Sequence, residues 1–426
     1  MEKKREVFLF GAGAIIDWGA PTTNELTELI LNSGFTIKDS DTTITKFLYQ
    51  RLIEYGYKKD EVNFETIISV IEELIVYYSE IQYFENDNWV IRTTYLLRPF
   101  VNNDNIDVIF NYSIVGGERR SHYKLNIPID KEYPYAKPAK KNENPNQFFL
   151  QHLLSRLLET IYRRISKYSY TIDKESNNSI LFRKWIKRLS ENKAIRLYTL
   201  NYDNVFSALL KEENIDCFEG FFNEKDEYSY GYRADVLRIL SDSNSNIHFN
   251  LHGSAYWTVL AENEKGLFIP EIVLSNSIHL PTNDIQSTTQ IEKGRNIIIS
   301  NIITGYQKAQ KSVITPFRQM MSAFDKDIYS ADKLTIIGYS FGDEHINETI
   351  HMALRYNDKL KIEIVDSSFI DNGMDYKYAS KLFTFIDSEN MNPTKSGSVE
   401  NKFSYYNGII IAYNMKFSDY LIEMNK

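Results

Sequence analysis

The chain has 426 residues, with 49 Lys and Arg against 57 Asp and Glu, a formal charge of −8, and 43% hydrophobic and 25% charged residues. This composition excludes a disordered or collagen-like chain, and at roughly 150 residues per domain the length points to two or three domains. The negative balance excludes a global basic field for nucleic acid. The single cysteine, Cys217, excludes an internal disulfide and a Cys-cluster zinc site, and fits a cytoplasmic protein.

Lys3, Lys4 and Arg5 precede an apolar stretch from Val7 to Ile16. A signal peptide begins in this way, but Gly11, Gly13 and Asp17-Trp18 leave no small-residue cleavage site. We read Val7-Phe8-Leu9-Phe10 as a buried parallel strand that breaks at Gly11-Ala12-Gly13-Ala14 into a tight turn and a helix. Thr22 and Glu25 then stand at capping-box spacing before Leu26, Leu29 and Ile30. From about residue 41 the pattern is helical, with Phe64, Ile67, Ile68, Ile71, Leu74, Ile75 and Tyr78 at three- and four-residue steps behind a predicted N-cap at Asn63. Residues 100–146, rich in Asn, Asp, Lys and Pro, predict an irregular insertion or loop with room for a hairpin. Helical spacing returns from Phe149 to Ile165 and again from Ile180 to Leu189.

Short apolar runs then alternate with helical stretches. Predicted strands at 194–200, 247–251, 333–337 and 361–365 stop at Asn201-Tyr202-Asp203, His252-Gly253-Ser254, Gly338-Tyr339-Ser340 and Asp366-Ser367-Ser368; residues 403–413 supply a last strand or two. The run Gly408 to Tyr413 is far short of the ~20 residues of a membrane helix. The alternation predicts an α/β fold, a Rossmann-like doubly wound parallel sheet with an inserted mostly helical domain. The expected division is 1–40 with 191–426 for the sheet domain and 41–190 for the insertion.

In an open parallel sheet, ligands bind at the carboxyl ends of the strands, and four strands here end in small or polar residues. Gly11 and Gly13 suit either a pyrophosphate approached by backbone N–H groups or a ligand-free tight turn. Their spacing is not Gly-x-Gly-x-x-Gly, since the next glycine is Gly19. Asn201 and Asp203 either face a cleft or cap a helix beginning near Val205. His252 is either a packed, hydrogen-bonded residue or a general base. Asp366 either accepts from a ribose hydroxyl or caps a turn. The remaining histidines show no metal-ligand spacing.

These segments resemble the sirtuins. Gly11-Ala12-Gly13-Ala14-Ile15-Ile16-Asp17-Trp18-Gly19-Ala20-Pro21 is similar to their first NAD-binding motif, Thr199-Leu200-Asn201-Tyr202-Asp203 to their Thr-Gln-Asn-x-Asp motif, Leu251-His252-Gly253-Ser254 to their His-Gly motif, and Gly338-Tyr339-Ser340 to their Gly-x-Ser turn. There are departures. The motif serine is Ile15, Thr22-Thr23-Asn24 stand where deacylases carry Asp-Phe-Arg, and one cysteine cannot build the deacylase zinc ribbon. The segment Gly338–Asn347 resembles most the sirtuin-like NAD hydrolases of bacterial antiphage defence.

That resemblance implies NAD as substrate, no zinc, and hydrolysis to ADP-ribose and nicotinamide by Asn201, His252 and Asp203. It implies an NAD site lined by Gly11, Ala12, Gly13, Asp17, Pro21, Thr22, Gly338 and Ser340, with Asp366 near the adenosine ribose. It further implies an antiphage, abortive-infection effector that acts as a homo-oligomer or with a partner such as a HerA-type ATPase or an Argonaute. No sizeable C-terminal sensor is expected after the nucleotide domain. The alternatives are an NAD-derived nucleotide sensor without catalysis and, last, an NAD-dependent deacylase.

Overall fold

A computed structural model describes residues 4–87, 95–109, 120–125, 127–129, 145–224, 231–264, 267–275, 277–278, 288–292, 295–298, 300–304, 314–367, 397–399, 401–405 and 408–426. In chain order the strands are β1 (Lys4–Phe10), β2 (Val101–Ile109), β3 (Arg120–Leu125), β4 (Lys193–Thr199), β5 (Tyr232–Arg233), β6 (Ile247–Asn250), β7 (Trp257–Glu264), β8 (Leu267–Leu274), β9 (Thr288–Glu292), β10 (Arg295–Ile298), β11 (Lys333–Ile337), β12 (Lys361–Val365), β13 (Gly397–Val399), β14 (Lys402–Tyr405) and β15 (Ile410–Tyr413). The helices are α1 (Thr23–Leu31), α2 (Ile44–Tyr55), α3 (Phe64–Asp87), α4 (Pro145–Ser169), α5 (Asn177–Ser190), α6 (Val205–Glu212), α7 (Val236–Ser241), α8 (Phe317–Tyr329), α9 (Glu344–Tyr356) and α10 (Phe417–Met424).

The chain divides into two units. The first comprises Met1–Thr22, Ile165–Ile278 and Ser312–Lys426. Its main sheet, among the described residues, runs β13-β14-β15-β12-β11-β1-β4-β6. Pairing is parallel from β15 to β6 and antiparallel at β14 and β13. The chain leaves β1 for β4 and then β6, returns to β11 on the other side of β1, and moves outward to β12 and β15. The order therefore reverses between β1 and β11, which makes the sheet doubly wound with its switch point there. A separate antiparallel sheet joins β5, β8 and β7.

Side chains alternate across the sheet with period two. On one face Phe8 and Phe10 of β1 meet Trp185 of α5 and Phe206 of α6, with ring centroids 5.2 and 4.6 Å apart. Phe417 of α10 joins them, 5.7 Å from Phe10. On the other face Tyr198 packs on Phe324 of α8 at 4.9 Å.

The second unit comprises Thr23–Arg164 and His279–Lys311. Its core is built from the apolar stripes of α3 and α4, including Ile67, Ile71, Leu74, Leu150, Leu153 and Leu157, all buried. As the sequence predicts, Asn63 caps α3: its Oδ1 accepts the Glu65 and Thr66 N–H groups at 2.9 and 3.2 Å. Within 100–146, β2 and β3 pair antiparallel, while 110–119, 126 and 130–144 lie outside the described residues.

The division falls elsewhere than the expected bounds at 40 and 190. Helix α5 lies in the first unit because Phe182, Trp185 and Ile186 are buried against that unit's sheet face. Helix α1 lies in the second, where Thr27 Oγ1 accepts the Phe64 N–H at 3.0 Å. Helical periodicity shows which stripe is apolar but not what it packs on. No helix among the described residues is long and apolar enough to cross a membrane.

Candidate functional site

Register brings the strand ends into one row. Phe10 is paired with Thr199 and Ile337, Thr199 with Asn250, and Ile337 with Val365. One residue further on, the ladder is still closed: Leu200 N–H donates to Phe10 O (2.8 Å), Leu251 N–H to Thr199 O (2.8 Å), Gly11 N–H to Ile337 O (2.9 Å) and Gly338 N–H to Val365 O (2.9 Å). Two residues past the paired Thr199 and Asn250 stand Asn201 and His252, on adjacent strands of the same edge. Asp203 follows in the turn before α6.

At the switch point the β1 and β11 turns touch backbone to backbone. Gly338 has φ +62°, and a Cβ there would lie 2.2 Å from Ala14 N; one on Gly11 would lie 2.5 Å from Gly338 O. Only glycine fits such an approach. The Gly13 N–H donates to Gly338 O at 2.8 Å. The Gly11 and Gly13 N–H groups thus bond inside the protein, and the close approach of the two turns by itself requires glycine at these positions. The N–H of Ala12, at the exposed tip, has no backbone partner among the described residues.

Asn201 is 8% exposed. Its Nδ2 donates to Gly11 O at 3.0 Å, tying the β4 turn to the β1 turn, and its N–H donates to Thr199 Oγ1 at 3.0 Å. Asp203 is 3% exposed. Its Oδ1 accepts the Val205 N–H at 3.0 Å and its Oδ2 the Tyr168 hydroxyl at 3.1 Å. Burial pushes its carboxyl above the ordinary range, against the pull of those two bonds. Asp203 therefore holds the first N–H of α6, one residue ahead of the N-cap position at Asn204. His252 is 2% exposed, and its ring centroid lies 5.6 Å from that of His345, at the start of α9.

The other predicted residues divide. Asp17 turns to the C-terminal helix, where its Oδ2 accepts the Ser418 N–H, 401 residues along the chain, at 3.1 Å. Pro21 is buried, Thr22 is half-buried and Ser340 is exposed in the β11 turn. Asp366 ends β12 at the same edge, its N–H bonded to Tyr413 O at 3.0 Å. Sequence reasoning missed Asn250, whose Nδ2 donates to Asn201 O at 2.9 Å and to Asp203 O at 3.3 Å, fixing the intervening turn. An Asn closing an otherwise apolar strand was the available signal. It missed Tyr168 too, for which no local signal existed. Among the described residues no group of three or more His, Cys, Asp or Glu is arranged to hold a metal ion.

A family model described as a SIR2-like domain matches residues 196–366, which run from within β4 through β12 and include Asn201, Asp203, His252, Gly338, Ser340 and Asp366. No curated protein matches the chain. Similar solved structures include a Sir2 homologue mutant in complex with ADP-ribose, 12% identical over 99% of this chain and 91% of that chain, with a TM-score of 0.37. A Sir2 homologue–NAD complex is 12% identical over 99% of this chain and 88% of that chain, with a TM-score of 0.35.

Proposed function

We propose that this protein binds NAD at the carboxyl edge of its main sheet and hydrolyses it to ADP-ribose and nicotinamide. The observation that carries the reading is the row just described: Asn201 and His252 side by side past β4 and β6, next to a switch point where two turns approach through glycine. The SIR2-like match over residues 196–366 supports the nucleotide assignment.

In this reading the bond between the ribose anomeric carbon and the nicotinamide nitrogen breaks, and its electron pair stays with the ring, so nicotinamide leaves neutral. The ribose passes through an oxocarbenium-like state, as in other glycoside cleavages. Water attacks the anomeric carbon and gives a proton to His252. Asn201 orients that water and the ribose hydroxyls. Its Nδ2 is held by Gly11 O, which leaves Oδ1 as the acceptor it presents. Asp203 acts at one remove, by holding the turn on which Asn201 sits. The Ala12 N–H and the Ser340 hydroxyl meet the phosphates, and Asp366 the adenosine ribose. Uncontrolled NAD loss is toxic, so the activity suits an antiphage, abortive-infection effector gated by assembly into a homo-oligomer or by a partner such as a HerA-type ATPase.

The test is purified protein with NAD, following nicotinamide and ADP-ribose. His252→Ala and Asn201→Ala should each lower release by about 10²–10⁴-fold while both fold. Unaltered release from either variant overturns the assignment. One observation favours a second reading, a nucleotide sensor: Asn201, Asp203 and His252 are all buried and Asp203 holds the first N–H of α6. Saturable NAD binding with no nicotinamide released would select it.

A further inference from the structure

His345 reaches His252 from a different strand end, and the turn that delivers it is locked. Gly338 and Phe341 both take left-handed φ, +62° and +55°, and Phe341 is buried. The Tyr339 hydroxyl accepts the Asp343 N–H at 3.1 Å and donates to Asn347 Oδ1 at 2.9 Å. Asn347 Nδ2 in turn donates to Phe341 O at 2.9 Å. A left-handed, buried, non-glycine residue persists only where its surroundings over-determine it. The product of this lock is the first turn of α9, from which the His345 ring lies 5.6 Å from that of His252 with the planes 32° apart. That is a tilted contact within the range of ring-pair distances.

Rotation of a histidine ring about its last torsion is soft, whereas a general base must present one nitrogen along one line. We propose that His345 is a positioning residue: its ring packs at a tilt against that of His252 and fixes the plane in which His252 meets the attacking water. The inference rests on the hydrolase reading above and adds to it a residue on β11's side of the sheet, beyond the two strands that carry Asn201 and His252. His345 acts through ring packing, so an aromatic ring without nitrogen can replace it.

The whole protein is assayed with NAD as the probe, comparing the parent chain with His345→Ala, His345→Phe and His252→Ala. His345→Ala should lower kcat by about tenfold to a hundredfold, the scale of a misaligned catalytic group, with KM within about twofold. His345→Phe should recover most of that kcat. An unchanged kcat in His345→Ala beside an inactive His252→Ala overturns the inference and leaves the hydrolase reading standing; so does a Phe variant no better than Ala. Full activity in His252→Ala overturns the reading itself. The ring contact has a separate readout in the ring proton resonances of His252, assigned by their loss in His252→Ala. They should shift in His345→Ala, and a resonance unmoved by that substitution overturns the ring contact, and with it the inference, whether or not NAD is cleaved.

Discussion

His248 and His252 stand four residues apart, both buried, and their surroundings differ. His248 lies within β6, where burial lowers its pKa to about 4 although the Glu219 carboxylate pulls the other way. Its Nδ1 meets no hydrogen-bond partner among the described residues. In the unfolded chain this imidazole takes up a proton near pH 6.5; in the folded chain it stays neutral down to about 4. Its contribution to stability is therefore complete above pH ~6.5 and is lost as pH falls toward 4, by on the order of 3 kcal/mol. Replacing it by Gln should flatten the dependence of unfolding free energy on pH between 4 and 6.5, as read from urea melts. A wild-type-minus-variant difference that stays constant across that window would refute the assignment. At this scale the sequence was partly legible. Asn201 and His252 stood out as polar residues ending apolar strands. For Asp203 the sequence could not show the Val205 N–H and the Tyr168 hydroxyl that its oxygens accept.

Two elements depend on contacts that span the chain. The first is the glycine approach between the β1 and β11 turns. Gly338→Ala drives a Cβ into backbone and forces a left-handed φ on alanine, which should cost about 3 kcal/mol or more. Gly56→Ala, also at positive φ but with nothing within 4 Å of its Cβ, should cost only about 1 kcal/mol. Comparable losses for both in urea unfolding would show that the turns separate readily. The second is the attachment of α8 to the sheet. Arg196, fully buried in β4, donates from Nε to Asp327 Oδ2 at 2.6 Å and from Nη1 to Asp242 Oδ1 at 3.3 Å. The Tyr198 hydroxyl also donates to Asp327 Oδ2, at 2.5 Å. Asp327→Ala leaves a buried guanidinium short of its counter-charge and should cost about 3–5 kcal/mol. Arg196→Met combined with Asp327→Leu should recover much of that loss. A double variant as unstable as Asp327→Ala would mean that shape, not charge, holds the helix.

At the scale of the whole molecule, the chain folds as two units, each assembled from discontinuous segments and each with its own buried core. Two cores imply that unfolding is not all-or-none, so the calorimetric enthalpy should exceed the van't Hoff enthalpy. Every proposed site residue belongs to the unit built on the main sheet. ADP-ribose at a hundredfold excess over its Kd should then stabilise that unit by about 2.7 kcal/mol and leave the other transition unmoved. A single transition with equal enthalpies would show that the units unfold as one. The same bound nucleotide moving both transitions would contradict placing the site within one unit.

What the sequence determined by itself is local. An apolar run ending in Gly, Asn or His declares a buried strand and the turn where it stops, because burial and turn geometry act over fewer than ten residues. Helix caps such as Asn63 follow for the same reason, since a side chain reaching two or three residues ahead needs no tertiary context. The order β6-β4-β1-β11-β12-β15, the close approach of Gly11 to Gly338, the assignment of α5 and α1 to different units, and the meeting of His345 with His252 were decided only by the tertiary structure. Each joins groups tens to hundreds of residues apart. Whether Asp17 serves a ligand or the N–H of Ser418 depends on where the last helix packs, a property of the folded chain that the spacing of residues along it does not encode.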